Sequence, residues 1–154
     1  MDSQDNSGSG EGCIFCAIAA GEAPSIRVYE DEHTVAFMDI NPATRGHVLV
    51  IPRLHARDLL DVSGDELLHV MSTVQRVAFA VEEALHPDGI NLIQANRRAA
   101  FQSVYHFHVH VIPRWWDDGL RPPWSHRAGD PDELRELGQR VKTALDEGLA
   151  RSQH

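Results

Sequence analysis

The sequence predicts an α+β domain that combines five short strands with one long helix. Apolar residues recur at helical spacing between Leu67 and Leu85, and five short apolar stretches are each bounded by turn-forming residues. A chain of 154 residues, of which 42% are hydrophobic, is large enough to form one domain with its own core.

Composition narrows the classes of function. A formal net charge of −9 argues against non-specific binding to nucleic acid, which needs a basic surface. No apolar run reaches the roughly 18 residues that a membrane span requires. Residues 1–12 are polar and acidic, so we expect a disordered tail there and no signal peptide. Two cysteines are too few for a disulfide framework. We therefore expect a cytoplasmic protein with a domain over residues 13–150.

The first half of the chain contains a short helix and three strands. Residues 13–20 have helical spacing and end at Gly21, a typical helix C-cap. Residues 26–30 and 34–38 are predicted strands joined by a turn at residues 31–33. A loop containing Pro42 and Gly46 leads to a third strand at residues 47–51.

The long helix has recognisable ends. Ser63 and Glu66 form the sequence pattern of a capping box, and Pro87 and Gly89 terminate the helix near residue 86. A fourth strand follows at residues 90–94. A last helix is predicted to start at Pro131 with Asp130 as its N-cap.

The fifth strand carries the most informative pattern. Apolar residues alternate there with three histidines, His106, His108 and His110. Alternation of period two is typical of a strand with different faces, so we expect the three imidazoles on one face. The opposite face, formed by Phe107, Val109 and Val111, should be buried.

Three clustered imidazoles suit either a metal site or nucleophilic attack on phosphorus. Hydrolytic metal sites usually add carboxylate ligands. Here the neighbours are hydrogen-bonding residues that can bind phosphate oxygens or assist a leaving group: Asn96, Gln102, Ser103 and Arg114. The pattern therefore favours phosphoryl chemistry, while a metal-dependent hydrolase that uses all three histidines remains an alternative.

Cys13 and Cys16 form a Cys-x-x-Cys pair that allows three interpretations: half of a zinc site, a redox pair, or two ordinary thiols. A zinc site needs two more ligands, and without further cysteines these must be histidines or carboxylates. His55 is either a solvated loop histidine or one of these ligands.

Residues 106–112 resemble the His-φ-His-φ-His-φ-φ motif of the histidine-triad superfamily, in which φ is apolar. The resemblance to the bacterial nucleotide-binding branch extends over about residues 13–145. It includes Arg45-Gly-His-Val-Leu-Val-Ile-Pro52 and Gln102-Ser-Val-Tyr-His106, together with residues 13–22, 29–33 and 36–40.

This resemblance implies a five-stranded antiparallel sheet with a long helix, and a homodimer formed through that helix and the neighbouring strand. It also implies binding of purine nucleotides, with hydrolysis of phosphoramidates or nucleotide anhydrides at the α-phosphorus. A purine nucleotide or nucleoside phosphoramidate would be the binding partner, and neither nucleic acid nor membrane is expected.

The resemblance further implies catalytic roles. His108 would be the nucleophile and would form a nucleotidyl-histidine intermediate, while His110 and His47 would hold the α-phosphate. Ser103 would assist the leaving group, with Gln102 beside it.

The remaining roles concern binding. Asp39 would accept hydrogen bonds from the ribose hydroxyls, and Asn96 would contact the phosphate side. Ile14, Phe15, Ile18, Phe37 and Ile40 would form an apolar slot for the base. A structural zinc ion would be held by Cys13, Cys16, His55 and His106.

Two positions depart from the family pattern. Phe101 stands where a glycine is common, which removes backbone freedom and adds bulk near the substrate. Arg97 and Arg98 either favour a longer polyphosphate or form a solvated loop. A nucleotide-binding regulatory protein with negligible turnover is the second functional hypothesis, because sequence alone does not measure turnover.

Overall fold

The computed structural model describes residues 10–152 and contains two compact units, one up to Gly119 and one from Leu120. Most of the tail predicted at residues 1–12 lies outside the described residues. Within residues 10–152, no helix combines the length and the apolar character needed to cross a bilayer.

The first unit confirms the predicted α+β fold. One antiparallel sheet has the strand order β1-β2-β3-β5-β4. Its elements are α1 (Ile14–Ala20), β1 (Arg27–Glu30), β2 (Thr34–Met38), β3 (Val48–Pro52), α2 (Gly64–Leu85), β4 (Gly89–Ile93) and β5 (Val109–Arg114).

Local side-chain chemistry determines the first turns. The Cys16 N–H lies 3.4 Å from the Cys13 Sγ at the N-cap of α1, and Gly21 ends the helix with a φ of 77°. Between β1 and β2, Asp31 Oδ1 accepts hydrogen bonds from the N–H groups of His33 and Thr34. These bonds satisfy the turn's backbone donors and hold the hairpin.

The sheet is covered on both faces at its centre. On one face Val74 and Val77 of α2 pack with Val50 and Val111. On the other face α1 covers a second apolar cluster, and Phe15 is its aromatic contact with the strands. Because both faces are buried, β2 and β3 are apolar nearly throughout instead of alternating.

The capping box of α2 forms only in part. Ser63 Oγ accepts a hydrogen bond from the Glu66 N–H at 3.2 Å, as predicted. The Glu66 carboxylate does not return to Ser63. It lies instead 3.5 Å from His33 Nδ1. At the other end the helix stops at Leu85, and His86 adopts a left-handed conformation with a φ of 49°.

The histidine strand is shorter than predicted. β5 begins at Val109, so His106 and His108 precede it and only His110 lies within it. The reason is that the Phe107 N–H donates to Ala56 O at 2.6 Å, which pairs this segment with a loop instead of the sheet. The alternation survives nevertheless, since Phe107, Val109 and Val111 are buried on the α2 face.

The second unit contains α3 (Pro131–Ser152). Asp130 Oδ1 accepts from the N–H groups of Asp132 and Glu133, which confirms the predicted N-cap. Along the helix Leu134, Leu137, Val141 and Leu145 recur at helical spacing.

Gly46 is a position where only glycine fits. Its φ is +83°, and a Cβ there would collide with the Leu85 side chain and approach Pro113 Cγ to 3.4 Å. We expect Gly46→Ala to lower the free energy of unfolding by about 1–3 kcal/mol, through left-handed strain and overpacking. The measurement is urea denaturation.

Gly64→Ala is the matched control, because Gly64 has no positive φ and nothing lies within 4 Å of its added Cβ. Its stability should change by less than roughly 0.5 kcal/mol. Equal midpoints and slopes for the Gly46 variant and the wild type would contradict the steric argument.

Candidate active site and metal cluster

A cavity of about 540 Å³ lies between α1, the ends of β2 and β3, and the histidine segment. It brings together nine of the residues predicted from the sequence: Ile14, Phe15, Ile18, Phe37, Asp39, Ile40, Ser103, His108 and His110. The apolar members form one wall and the histidines another. A site of this size and mixed lining suits a small ligand with an apolar ring and a charged group.

Some lining residues were not predicted from the sequence. They are Pro24, Ser25, Met38, Asn41, Leu49 and Val104. Most carry no chemistry that marks a site in a sequence. Leu49 could have been found from strand register, because it pairs with His110 and therefore points to the same face.

Gln102 and Asn96 do not line this cavity. The Gln102 side chain accepts from the Arg97 N–H at 2.6 Å and donates to Arg57 O and Val104 O. Asn96 Oδ1 accepts from the Leu59 N–H, and its amide also pairs with Gln94. Both amide side chains form hydrogen bonds with backbone groups of the loops near the histidines. These bonds fix the loop that carries Ser103.

His108 has a defined tautomer. Its Nδ1 lies 2.6 Å from the carbonyl oxygen of His106. A carbonyl only accepts, so the neutral ring carries its proton on Nδ1 and leaves the Nε2 lone pair available. The ring is 5% exposed and packs edge-on against Phe15 at a centroid distance of 5.2 Å.

His110 belongs to a relay of hydrogen bonds that starts at a backbone amide. The Ala43 N–H donates to His47 Nδ1 at 3.0 Å, so a neutral His47 keeps its proton on Nε2. That Nε2–H then donates to His110 Nδ1 at 2.9 Å. His110 is consequently left with an Nε2–H donor. His47, for which the resemblance implies a phosphate contact, lies beside His110 and 3.5 Å from the Asp39 carboxylate.

The histidines of the site are neutral at neutral pH. Burial, together with the neighbouring His108 and His47, lowers the pKa of His110 to about 4. Burial also lowers the pKa of His108 and of His47. A neutral His108 retains the lone pair that a nucleophile requires.

Cys13, Cys16, His55 and His106 form a second cluster next to the cavity. His106 Nδ1 lies 3.4 Å from both sulfur atoms, and His55 Nδ1 lies 3.3 Å from Cys16 Sγ. Tetrahedral zinc with ordinary Zn–S and Zn–N bonds separates sulfur and nitrogen ligands by about 3.5 Å. The three measured sulfur–nitrogen separations therefore match the edges of a zinc tetrahedron.

Two further observations support this fit. His106 Nε2 lies 2.8 Å from the Pro52 carbonyl, which places the proton on Nε2 and leaves Nδ1 as a lone pair toward the cysteines. A Cβ on Gly10 would lie 3.0 Å from Cys16 Sγ, so the backbone at Gly10 packs directly against the cluster. Burial, with the Cys13 hydrogen bond and charge, raises the pKa of Cys16 to about 12, so a cation that binds there must displace a proton.

Asp39, His47 and His110 also bring a carboxylate and two imidazoles within ligand distance of each other. Here the tautomers disfavour a metal. His47 Nδ1 already accepts from the Ala43 N–H, so a metal on Nε2 would require an imidazolate. The geometry fits the hydrogen-bond relay better than metal coordination.

A family model for the HIT domain matches residues 20–115 of this chain. The protein Hit of Bacillus subtilis is 38% identical over 138 residues, which cover 88% of this chain and 95% of that protein. An adenosine 5′-monophosphoramidase of Schizosaccharomyces pombe is 34% identical over 134 residues, covering 86% of this chain and 98% of that protein.

The solved structure of a zinc-bound histidine triad family protein from Mycobacterium smegmatis superposes with a TM-score of 0.69 at 41% identity. It covers 91% of this chain and 99% of that chain. The matched residues include the triad, the loop that carries His47 and the five strands that position them. The chain therefore belongs to the histidine-triad (HIT) family.

Proposed function

We propose that this protein is a purine-nucleotide hydrolase that acts at the α-phosphorus of nucleoside phosphoramidates or nucleotide anhydrides. The observation that carries the proposal is the available Nε2 lone pair of neutral His108 in a cavity of nucleotide-compatible size. Similarity to an adenosine 5′-monophosphoramidase supports hydrolysis of a phosphorus–nitrogen bond.

The chemistry would proceed in two displacements. His108 Nε2 forms a bond to the α-phosphorus while the bond to the leaving nitrogen or oxygen breaks, and the leaving group takes up a proton from the solvent. Water then attacks the phosphorus of the nucleotidyl-histidine while the bond to Nε2 breaks. The nucleotide leaves, one proton of the water returns to the solvent, and the ring is again neutral. Dividing one difficult step into two easier ones is the kinetic advantage of a covalent intermediate.

Other residues would stabilise the transition state. The Nε2–H of His110, fixed by the relay from Ala43 and His47, can donate to a phosphate oxygen as negative charge develops. Ser103 lies at the cavity rim, where its hydroxyl can approach the leaving group. Asp39 lines the same cavity and suits the ribose hydroxyls, because a carboxylate accepts two hydrogen bonds.

We further propose that Cys13, Cys16, His55 and His106 hold a structural zinc ion. All four ligand positions would come from the protein, and a closed tetrahedral site is typical of structural zinc. Bound zinc would link α1 to the segment that carries His108. The metal would lie outside the cavity that His108 lines, since His106 Nδ1 lies 3.4 Å from both sulfurs and none of the four ligands lines that cavity. Free cysteines in such a cluster also favour the expected cytoplasmic location.

Homodimer formation is a third proposal. β4 is an edge strand of the sheet, and Leu92 and Ile93 on it are about half exposed. On helix α2, Leu68 and Phe79 are 70% and 71% exposed. Exposed large apolar side chains on a helix and on an open sheet edge are typical of an interface.

His108→Ala should lower kcat for an adenosine phosphoramidate by several orders of magnitude, because the nucleophile is lost. Binding of AMP, measured by calorimetry, should remain within several-fold of wild type, since the apolar wall and Asp39 are unchanged. Ser103→Ala should cost roughly 10²–10³ in kcat. His126→Ala, which removes an exposed histidine of the second unit, is the control and should be fully active.

A His108 variant that keeps kcat within tenfold of wild type would refute the nucleophile. Wild-type protein that binds AMP but turns over none of a panel of phosphoramidates and dinucleoside polyphosphates would favour the regulatory alternative. Immediate inactivation by EDTA without unfolding would favour the metal-dependent hydrolase.

Protein purified without chelator should contain one zinc ion per chain by metal analysis. Cys16→Ser should lose the ion and lower Tm by roughly 5–10 °C, because a loss of a few kcal/mol shifts a domain of this size by that amount. His126→Ala should keep both zinc and Tm. Zinc-free protein whose Tm does not change on addition of zinc would contradict the structural role.

In sedimentation velocity at micromolar concentration we expect twice the chain mass of 17.2 kDa. Phe79→Glu should shift the protein toward monomer by placing charge in the apolar interface. Leu60→Glu is the matched control, because Leu60 is equally exposed at 71% but precedes α2. A monomeric wild type, or dissociation of both variants alike, would exclude the α2/β4 interface.

A further inference from the structure

Two imidazoles outside the cavity lie face to face. His33 is in the turn between β1 and β2, and His69 is on α2. Their ring centroids are 3.6 Å apart and their planes differ by 5°. Both residues are at least partly exposed.

Glu66 adds a carboxylate to this pair. It lies three residues before His69 on α2 and therefore on the same helical face. Its Oε1 is 3.5 Å from His33 Nδ1, while its Oε2 is buried without a hydrogen-bond partner among the described residues. A buried carboxylate oxygen without a hydrogen-bond partner is energetically unfavourable, and a bound cation would remove that cost.

The backbone around the three side chains is well anchored. The His33 N–H donates to Asp31 Oδ1 at 2.9 Å, and the His33 carbonyl accepts from the Arg53 N–H at 2.8 Å. The other two side chains project from the first turns of a 22-residue helix. The Asp31 carboxylate beside the turn adds further negative charge, which favours a cation.

We propose that His33, Glu66 and His69 form a second metal site, separate from the cysteine cluster, for a divalent transition-metal ion such as Zn²⁺. The separation of 3.5 Å between His33 Nδ1 and Glu66 Oε1 is close to the roughly 3.3–3.5 Å edge between light-atom ligands of tetrahedral zinc. Parallel rings do not aim their lone pairs at one point. In this structure only His33 and Glu66 lie at ligand distance, and the exposed His69 ring would have to rotate about its Cβ–Cγ bond to add its nitrogen.

The donor set selects the class of metal. Two imidazoles with one carboxylate suit Zn²⁺, Ni²⁺ or Cu²⁺, whereas Mg²⁺ and Ca²⁺ prefer oxygen ligands. The ion would connect the β1–β2 turn to the start of α2, and water would fill the remaining coordination position. Binding would stabilise the folded state in proportion to the logarithm of metal concentration.

The test uses the full chain with the cysteine cluster already loaded with zinc. Calorimetric titration with further Zn²⁺ should show one more binding event, absent with Mg²⁺. His69→Ala and Glu66→Gln should each weaken that event by at least about tenfold. His126→Ala should leave it unchanged. Long-range ¹H–¹⁵N spectra should show imidazole shifts of His33 and His69 on zinc addition.

Either of two outcomes overturns the proposal. The loaded protein could bind no further zinc. Alternatively, the additional event could persist unchanged in both variants, which would assign the ion to other histidines such as those of the cavity. Circular dichroism of the variants establishes that they are folded, and truncation of the exposed His69 ring removes no core contact.

Discussion

The fully buried His106 connects the two halves of the candidate site. Its ring donates from Nε2 to the Pro52 carbonyl and presents Nδ1 to Cys13 and Cys16. Its own carbonyl accepts from His108 Nδ1. One residue thus contacts the cysteine cluster with its side chain and orients the nucleophile with its backbone carbonyl. A displacement of the cysteine cluster would therefore move His108 through His106.

This arrangement depends on the sheet being covered on both faces. α2 buries the Phe107, Val109 and Val111 side of the segment, and α1 covers the imidazole side with Phe15. The histidines are therefore desolvated, which lowers their pKa values and keeps the rings neutral. A sheet with one solvated face would leave imidazoles of ordinary pKa, partly protonated near pH 6.5. The same packing that stabilises the fold thus prepares the nucleophile.

Backbone groups determine which ring nitrogen of each histidine in the site carries the proton. The Ala43 amide determines the tautomer of His47 and, through it, that of His110. The carbonyls of Pro52 and His106 determine those of His106 and His108. Because side-chain substitutions leave these groups in place, the tautomers follow from loop conformation, and Gly46 is one residue on which that conformation depends.

The amino-acid sequence alone determined the elements and the segregation of faces at the histidines, because periodicity and residue chemistry are local properties. The apolar part of the cavity lining and Asp39 followed from a family resemblance. The pairing of Cys13 and Cys16 with His55 and His106 followed from a resemblance, and the geometry agrees with it. Only the tertiary structure decided that β5 starts at Val109, that Gln102 and Asn96 hold loops, and that Glu66 faces His33 instead of closing its capping box. The physical reason is that these hydrogen bonds and contacts join residues distant in the chain. They depend on how the loops pack in three dimensions, which local residue patterns do not specify.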